Sequence, residues 1–437
     1  MLRNPQDREI VRLAVPALGA LVAEPLLLLA DSAIVGHLGT RQLAGLAIAG
    51  TVLATVVSVC IFLAYGTTAA VARQVGAGDL RAAVQQGVDG MWLAAGLGLV
   101  IALAGLPLAR PLVAAFHAAH AVVPYAVTYL RISLPGVPAM LVVLAATGVL
   151  RGMQDTRTPL AVAAAGAAAN VVLNLLLVYP AGLGIAGSAL GTVIAQGGMA
   201  ATLVLVVLRT ARRHRAQVRP DLPGIRLAAA SGVPLVVRTV TLRGVLVAAT
   251  AVAGTMGPVP LAAHQVAYSV WNFLAMTLDA IAIAGQAIVG RDLGSGDVAG
   301  ARAATRRMVQ WGLAVGVLLG LLFVLARPVY VPLFTEDPQV RAQLSAALLV
   351  VGLMQPVAGV VFVLDGVLIG AGDARYLAAA GIGTLAAFLP AAGLVLVTGA
   401  GLVALWWALV VFMLARLAFL SARASSDDWT VTGAVRR

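Results

Sequence analysis

The chemistry of this sequence depends on a few acidic side chains that lie inside long apolar stretches. Asp31, in the run LLLLADSAIVG, has no arginine placed deep within the same half of the chain, and Arg131 is its one candidate partner. A carboxylate that is buried without a counter-charge favours its neutral form, so it can take up and release a proton. Asp31 is therefore a candidate proton or ion site. The alternative is an Asp that bonds to neighbouring hydroxyl groups and serves packing.

Two amide side chains are candidates to hold this carboxylate. Asn170 and Asn174 lie one helical turn apart, so they share one face of a helix and could both reach Asp31. We therefore assign Asp31, Asn170 and Asn174 to one proton or ion coupling site. Polar packing between helices is the alternative for the two Asn residues.

The residues just before Asp31 predict a hinge. Glu24 precedes Asp31 by nearly two helical turns and so faces the same side of the helix. Pro25 lies between them and removes one backbone hydrogen bond, which permits a kink. We predict that Pro25 is a hinge and that protonation of Asp31 changes the bend. A fixed kink that packing requires is the alternative.

The second half of the chain carries charges of both signs within its apolar stretches. With a rise of about 1.5 Å per residue, Arg238, Asp279 and Asp365 fall at depths where they can meet. Arg238, Arg243 and Asp279 are predicted to form an ion-pair network that holds the fold. Asp365 is either a member of that network or a further proton or ion coupling residue.

Polar and aromatic side chains within the apolar stretches could line a cavity for an organic compound. The predicted substrate cavity contains Glu24, Tyr65, Gln196, Gln265, Tyr268, Asn272 and Gln286. Trp406 and Trp407, near the outer end of the last stretch, are predicted to anchor the protein at the membrane interface.

The elements that position these residues are membrane spans. Of the 437 residues, 61% are hydrophobic and only 11% are charged, which is far from the balance of a soluble domain. The mean hydropathy is +1.00. A helix needs about 20 mainly apolar residues to cross a bilayer, and twelve such stretches can be placed between Leu13 and Ser421. The sequence predicts an all-α polytopic membrane protein with twelve transmembrane helices.

The basic residues indicate membrane topology rather than nucleic-acid binding. The net charge is +12, and the 29 basic residues are all arginine. Most lie in segments predicted to be cytoplasmic, including those from Arg416 onward, which are assigned to the tail. The outer side has only Arg41, Arg110, Arg131, Arg327 and Arg341. Because cytoplasmic loops carry an excess of Arg, both termini are predicted to be cytoplasmic, in the inner (plasma) membrane of a bacterium.

No cofactor or metal is expected, and the protein is not expected to be an enzyme. Cys60 is the single cysteine, the five His residues show no metal-ligand spacing, and no phosphate-binding GxxxxGK[ST] pattern occurs. An ion gradient is therefore the expected source of energy. A receptor or an assembly scaffold would need a sizeable soluble domain, and the sequence has none.

The two halves of the chain are copies of each other. A shift of 218 residues places RQVGAGD at 73–79 on RDLGSGD at 291–297, and GVLRGMQDTR at 148–157 on GVLIGAGDAR at 366–375. The repeated Gly-Asp segments are predicted to be turns in which Gly relieves backbone strain and Asp caps the next helix. We predict an N-terminal six-helix lobe at 1–208, a cytoplasmic linker at 209–226 and a C-terminal six-helix lobe at 227–437, related by a pseudo-two-fold axis along the membrane normal.

Several segments resemble the multidrug and toxin extrusion (MATE) family across almost the whole chain. They are PLLLLADSAIVGHLGTRQLAGLAIAG at 25–50, YGTTAAVARQVGAGD at 65–79, VLRGMQDTRTPL at 149–160, NVVLNLLLVYPAGLGIAGSALGTVIAQ at 170–196 and LAAHQVAYSVWNFLAMTLDAIAIAGQAIVGRDLGSGD at 261–297. Within that family, LADSAIVGHLG and FVLDGVLIGAGD at 362–373 resemble the DinF-like branch, which is generally associated with proton coupling.

The resemblance implies a V-shaped monomeric transporter that works by alternating access. It would export amphipathic, often cationic, organic compounds in exchange for H⁺ or Na⁺, with its ion site at Asp31, Asn170 and Asn174. Asn174 departs from the family pattern, where an Asp is expected, and this disfavours a Na⁺ site built from several carboxylates. The expected function is proton-coupled multidrug efflux, and the alternatives are Na⁺ coupling or a flippase for a lipid-linked or amphipathic metabolite.

Overall fold

A computed structural model describes residues 5–435, and all regular structure in that range is helical. Twelve apolar spans confirm the predicted number of membrane-crossing segments. The α-helices are α1 (Pro5–Gly36), α2 (Thr40–Val59), α3 (Phe62–Gly76), α4 (Leu80–Ala114), α5 (Val123–Ser133), α6 (Val137–Gly152), α7 (Arg157–Val178), α8 (Gly184–Arg213), α9 (Leu222–Thr255), α10 (Pro258–Gly294), α11 (Val298–Phe334), α12 (Pro338–Gly370), α13 (Ala374–Thr398) and α14 (Gly401–Ser425).

Two of the spans are interrupted helices. α2 and α3 are separated at residues 60–61 and together form the span Thr40–Gly76. α5 and α6 are joined by a 3₁₀ turn at Leu134–Gly136, whose Pro135 cannot donate a backbone hydrogen bond. Their counterparts in the second half, α10 and α12, run without a break.

The helix ends follow the sequence repeat. Shifting the end of α3 at residue 76 and the start of α4 at residue 80 by 218 gives the end of α10 at 294 and the start of α11 at 298. The turns between them have the same geometry: Gly78 and Gly296 have φ of +81° and +84°. The Asp79 and Asp297 side chains each accept a backbone N–H from the following helix at 2.8 Å. These turns therefore end and restart helices as the Gly-Asp pattern predicts.

The chain forms two compact units. The N-terminal unit is Pro16–Gly232, and the C-terminal unit combines Met1–Val15 with Val233–Arg437. α8 extends to Arg213 and α9 begins at Leu222, so the non-helical part of the predicted linker is 214–221. The predicted lobe boundaries at 208 and 227 stay a prediction.

The first turns of α1 belong to the C-terminal unit because buried polar contacts hold them there. The Asp7 carboxylate accepts hydrogen bonds from the Arg307 guanidinium at 2.6 and 2.7 Å and from Trp311 Nε1 at 2.8 Å. Glu9 accepts a further bond from Arg291 at 2.5 Å. A buried carboxylate needs such partners, and these contacts attach the start of α1 to α10 and α11.

Glycines allow α11 and α12 to pack with their backbones in contact. Gly312, Gly316 and Gly320 are spaced four residues apart on α11 and face α12, where Gly352 and Gly359 meet them. A methyl group on any of these would meet a backbone carbonyl or side chain of the other helix at less than ordinary contact distance. Small residues at this spacing are the usual means by which membrane helices approach closely.

We expect Gly359→Ala to destabilise the C-terminal unit. The added methyl group would overlap the Gly312 carbonyl, and overpacking of this kind costs about 1–3 kcal/mol. Thermal unfolding in detergent measures the effect. Gly393→Ala is the control, because a methyl group there has no neighbour within 4 Å. Equal melting temperatures for the two variants would contradict the close packing.

Candidate functional site

Asp31 of α1 is buried in the N-terminal unit, with 2% of its surface exposed. Asn174 Nδ2, on α7, donates a hydrogen bond to Asp31 Oδ1 at 2.5 Å. Across residues 5–435, no arginine or histidine forms an ion pair with this carboxylate, and Arg131 is not its partner. Asp31 is thus buried and held by a neutral donor.

A chain of hydrogen bonds fixes the Asn174 amide, which holds Asp31. Asn174 Nδ2 also donates to Asn170 Oδ1 at 3.2 Å, and Asn170 Nδ2 donates to Thr192 Oγ1 at 3.0 Å. Thr192 Oγ1 in turn donates to the Ser188 carbonyl on α8 at 3.0 Å. Both N–H groups of the Asn174 amide are therefore used. Asn170 holds this amide in place, and Asn170 is itself held by Thr192 of α8. Both Asn side chains are fully buried.

The structure adds residues to this site that the sequence did not indicate. Thr192 of α8 accepts the hydrogen bond from Asn170. Tyr129 of α5 is 4% exposed and lies near enough to interact electrostatically with Asp31. We define the Asp31 cluster as Asp31, Tyr129, Asn170, Asn174 and Thr192; Asp31 is its only carboxylate. Tyr129 and Thr192 lie on helices remote in sequence; the four-residue spacing of Ser188 and Thr192 on one face of α8 could have pointed to Thr192, and no sequence signal pointed to Tyr129.

Close packing of α7 against α8 makes this arrangement possible. A methyl group on Gly191 would overlap Asn174 Oδ1, so the amide occupies the space that Gly191 leaves open. A methyl group on Gly187 would lie 2.6 Å from the Leu177 carbonyl. The Tyr179 hydroxyl donates to the Ile34 carbonyl at 2.9 Å and ties the end of α7 to α1. These contacts set the distance between the carboxylate and its amide.

The buried charges of the C-terminal unit are arranged differently. Arg238 Nε of α9 donates to Asp365 Oδ1 of α12 at 3.1 Å, and its terminal nitrogen pairs with Oδ2, which makes a two-point ion pair. Arg416 of α14 lies 3.6 Å from Asp365 Oδ1 and over the rings of Phe362 and Phe412. Asp365 is therefore neutralised by two cations, unlike Asp31.

The predicted ion-pair network has one member exchanged. Arg416, which the sequence analysis counted among the cytoplasmic arginines, is 7% exposed and lies within α14. Asp279 is half-buried and interacts electrostatically with Arg416. Arg243 is exposed on α9 and forms no ion pair within the described part of the chain. Arg416 takes the place predicted for Arg243 because α14 packs against α12 beside Asp365. A coupling role for Asp365 stays a prediction.

The residues predicted for the substrate cavity are distributed over both units. Glu24, Gln265 and Asn272 are exposed, and Tyr65, Gln196 and Tyr268 are half-buried. Gln286 is 1% exposed, in the part of α10 whose backbone meets Gly370 of α12. A cavity lined by these side chains stays a prediction.

Glu24 and Pro25 lie near Asp31 on α1 but outside its cluster. Glu24 is exposed although Asp31, nearly two turns further on, is buried, so the two carboxylates have different surroundings. α1 continues as a helix through both Pro16 and Pro25. The hinge assigned to Pro25 stays a prediction.

Comparisons with known proteins agree on one family. The profile of the MatE family matches residues 16–176 and 234–391, once in each half of the chain. The chain is 32% identical to Protein DETOXIFICATION 44, chloroplastic, of Arabidopsis thaliana, covering 94% of this chain and 80% of that protein. It is 30% identical to DNA damage-inducible protein F of Escherichia coli (strain K12), covering 95% and 91%.

A solved structure supports the fold. The Vibrio cholerae MATE transporter VcmN in its bent form matches with a TM-score of 0.87 at 21% identity, over 97% of this chain and 98% of that one. The starts of the two family matches, 16 and 234, differ by 218 residues, the same shift that relates the two halves of the sequence.

Proposed function

Because this chain belongs to the multidrug and toxin extrusion (MATE) family of secondary transporters, we propose that it is an antiporter that exports amphipathic or cationic organic compounds in exchange for protons. Proteins of this family need no cofactor and are driven by an ion gradient. The similarity to DNA damage-inducible protein F agrees with the DinF-like branch indicated by the sequence.

The observation that carries the proposal is the environment of Asp31. The carboxylate is buried, and in the part of the chain that the structure describes it has an amide but no cation as its partner. An ionised group at such a site costs several kcal/mol unless something compensates its charge. Binding of a proton removes this cost, so proton occupancy can change with the access of the site to water.

Coupling follows from competition between proton and substrate. Asp31 takes up a proton when the site opens to the outside, and the substrate leaves. When the site opens to the cytoplasm, the proton leaves and a new substrate binds. A transporter of this kind needs only that each ligand binds one state better than the other. Asp31 supplies this difference in affinity if it is open to the outside in one state and to the cytoplasm in the other.

A Na⁺-coupled exporter of the same fold is the second candidate. Asn174 Oδ1 is buried and has no hydrogen-bond partner among residues 5–435, and such an oxygen beside a carboxylate is a suitable cation ligand. Against this, the Asp31 cluster contains one carboxylate, because position 174 is Asn. We favour the proton, since it needs no further ligands.

The experiment that tests this function imposes the two gradients separately. Purified protein in proteoliposomes should export ethidium when only a pH gradient is present and not when only a Na⁺ gradient is present. Ethidium export driven by the Na⁺ gradient alone would show that Na⁺, and not the proton, is the coupling ion. Translocation of a lipid-linked saccharide with no movement of ethidium would favour a flippase instead.

Membrane placement is part of the same proposal. We place both termini in the cytoplasm of a bacterium and the chain, as a monomer, in the inner membrane, because most arginines lie in the loops that face that side under this topology. The test is labelling by a membrane-impermeant reagent of one cysteine introduced beside Arg81 or beside Arg110, in a chain whose own Cys60 is replaced by Ala. Only the cysteine beside Arg110 should react in intact cells.

We expect Gly191→Ala to weaken proton coupling. The added methyl group would displace the Asn174 amide, and loss of a buried hydrogen bond to a charged group costs roughly 1.5–3 kcal/mol, or about tenfold or more in pH-driven ethidium efflux. Gly197→Ala on the same helix is the control, because nothing lies within 4 Å of a methyl group there. Equal efflux by the two variants would show that the amide position does not matter.

A further inference from the structure

The C-terminal unit contains a small cavity walled by aromatic rings. His264 of α10 and Trp406 of α14 are each 1% exposed and lie with ring centroids 5.6 Å apart. Tyr268 stacks on His264 at 6.4 Å, and Trp271 lies beside Tyr268. The cavity between them has room for about one water-sized group. The interface role predicted for Trp406 is wrong, because its ring faces this interior; Trp407 is 50% exposed.

Hydrogen bonding assigns the proton of the neutral His264 ring. Thr250 Oγ1 donates to the Leu246 carbonyl at 3.0 Å, so its one hydrogen is used. With that bond kept, Thr250 Oγ1 accepts from His264 Nε2 at 3.3 Å, and we assign the ring proton to Nε2 on this basis. His264 Nδ1 is then a bare acceptor, and it has no partner among the residues that the structure describes. Trp406 Nε1, on the same cavity wall, is a donor that has no partner within residues 5–435.

No charged side chain from the described residues lines this cavity. α9 contributes Leu246 and Ala249, α12 contributes Met354, and α14 contributes apolar or aromatic side chains. Tyr268 of α10 is the only other titratable group on the wall. His264 thus differs from the buried carboxylates of this unit that are ion-paired: Asp365 with Arg238, Asp292 with Arg291 and Asp373 with Arg423.

From this geometry we infer that His264 is a second proton-accepting residue, which binds its proton at Nδ1 independently of Asp31. The step adds one H⁺ from water to the Nδ1 lone pair, and the ring becomes a cation with both nitrogens protonated. Nε2–H stays bonded to Thr250 Oγ1. The Trp406 ring, at 5.6 Å, offers a cation–π contact, worth about 2 kcal/mol when water is excluded.

The protonated form favours a cavity that admits water. The cavity wall offers the imidazolium no anion, so burying this cation costs free energy. The contacts with aromatic rings offset only part of that cost. Water at Nδ1–H lowers that cost, so each proton bound favours the hydrated cavity and each proton lost favours the closed one. His264 lies about 9 Å along α10 from the first residue of that helix, Pro258, a short path to the end of the span.

This inference rests on proton-coupled transport as the function, and its test separates the two. The full-length protein with ¹⁵N-labelled histidine, in lipid nanodiscs, is titrated by NMR. We expect the His264 ring, whose signals are assigned by their absence in His264→Gln, to have a bare Nδ1 at high pH and to become doubly protonated at low pH, in the wild type and in Asp31→Asn alike. His264→Gln should lose this signal and take up about one proton fewer over the titration.

Three variants make the transport readout specific. His264→Gln should flatten the dependence of ethidium efflux on external pH, whereas His120→Gln, at an exposed loop position, should leave it unchanged. Trp406→Phe keeps a ring in place and should retain the titration of His264. The inference is overturned if Nδ1 stays bare at every pH at which the protein is folded. It is also overturned if Trp406→Phe loses the titration as His264→Gln does, since packing would then be the cause.

Discussion

Asp31→Asn is expected to abolish ethidium efflux driven by a pH gradient. The amide is close in size to the carboxylate and can still bond to Asn174, but it cannot take up a proton. Coupled efflux in proteoliposomes should fall by about two orders of magnitude, to the level of empty vesicles, because a coupling free energy of roughly 3 kcal/mol is lost.

Asp89→Asn is the matched control for this substitution. Asp89 is also a buried carboxylate of the N-terminal unit, 3% exposed, but its side-chain partner is Gln85 at 3.3 Å and it lies outside the Asp31 cluster. The control should retain pH-driven efflux. Undiminished coupled efflux by Asp31→Asn, with the control also active, would remove Asp31 from the mechanism.

Arg238→Met is expected to have the largest effect on stability. It removes the two-point partner of Asp365 and leaves the buried carboxylate with Arg416 at 3.6 Å. Breaking one side of a buried ion pair costs about 3–5 kcal/mol. The yield of folded protein and its melting temperature in detergent should both fall sharply.

Arg243→Met provides the comparison on the same helix. Arg243 is exposed and has no ion pair in the described range 5–435, so its replacement should change stability little. Equal melting temperatures for the two variants would mean that the contact between Arg238 and Asp365 does not stabilise the C-terminal unit.

The architecture could be predicted from the sequence because the bilayer constrains it strongly. Each span needs about 20 apolar residues, and the repeat places matching turns 218 residues apart, as at Gly78 and Gly296. The helical face shared by Asn170 and Asn174 follows from their spacing alone. Local periodicity therefore accounts for the spans, the turns and the orientation of the two amides.

Partners from remote helices could be predicted only in part. Deep arginines occur in the sequence only in the half that contains Asp365, but the sequence does not tell which of them it meets: α9 and α14 bring Arg238 and Arg416 to it. Arg416 lies nine residues before the end of α14 at Ser425, although the sequence analysis counted it among the cytoplasmic arginines. Trp406 and Trp407 are adjacent, and only tertiary packing decides that the first is buried.

Infrared spectroscopy of the titrating carboxyl group tests the central claim most directly. Difference spectra of the protein in lipid, recorded between high and low pH, report the C=O stretch of a carboxylic acid that gains its proton in a dry environment. We predict such a band in the wild type and in Asp89→Asn and its loss in Asp31→Asn. A band that persists unchanged in Asp31→Asn would contradict proton binding at Asp31.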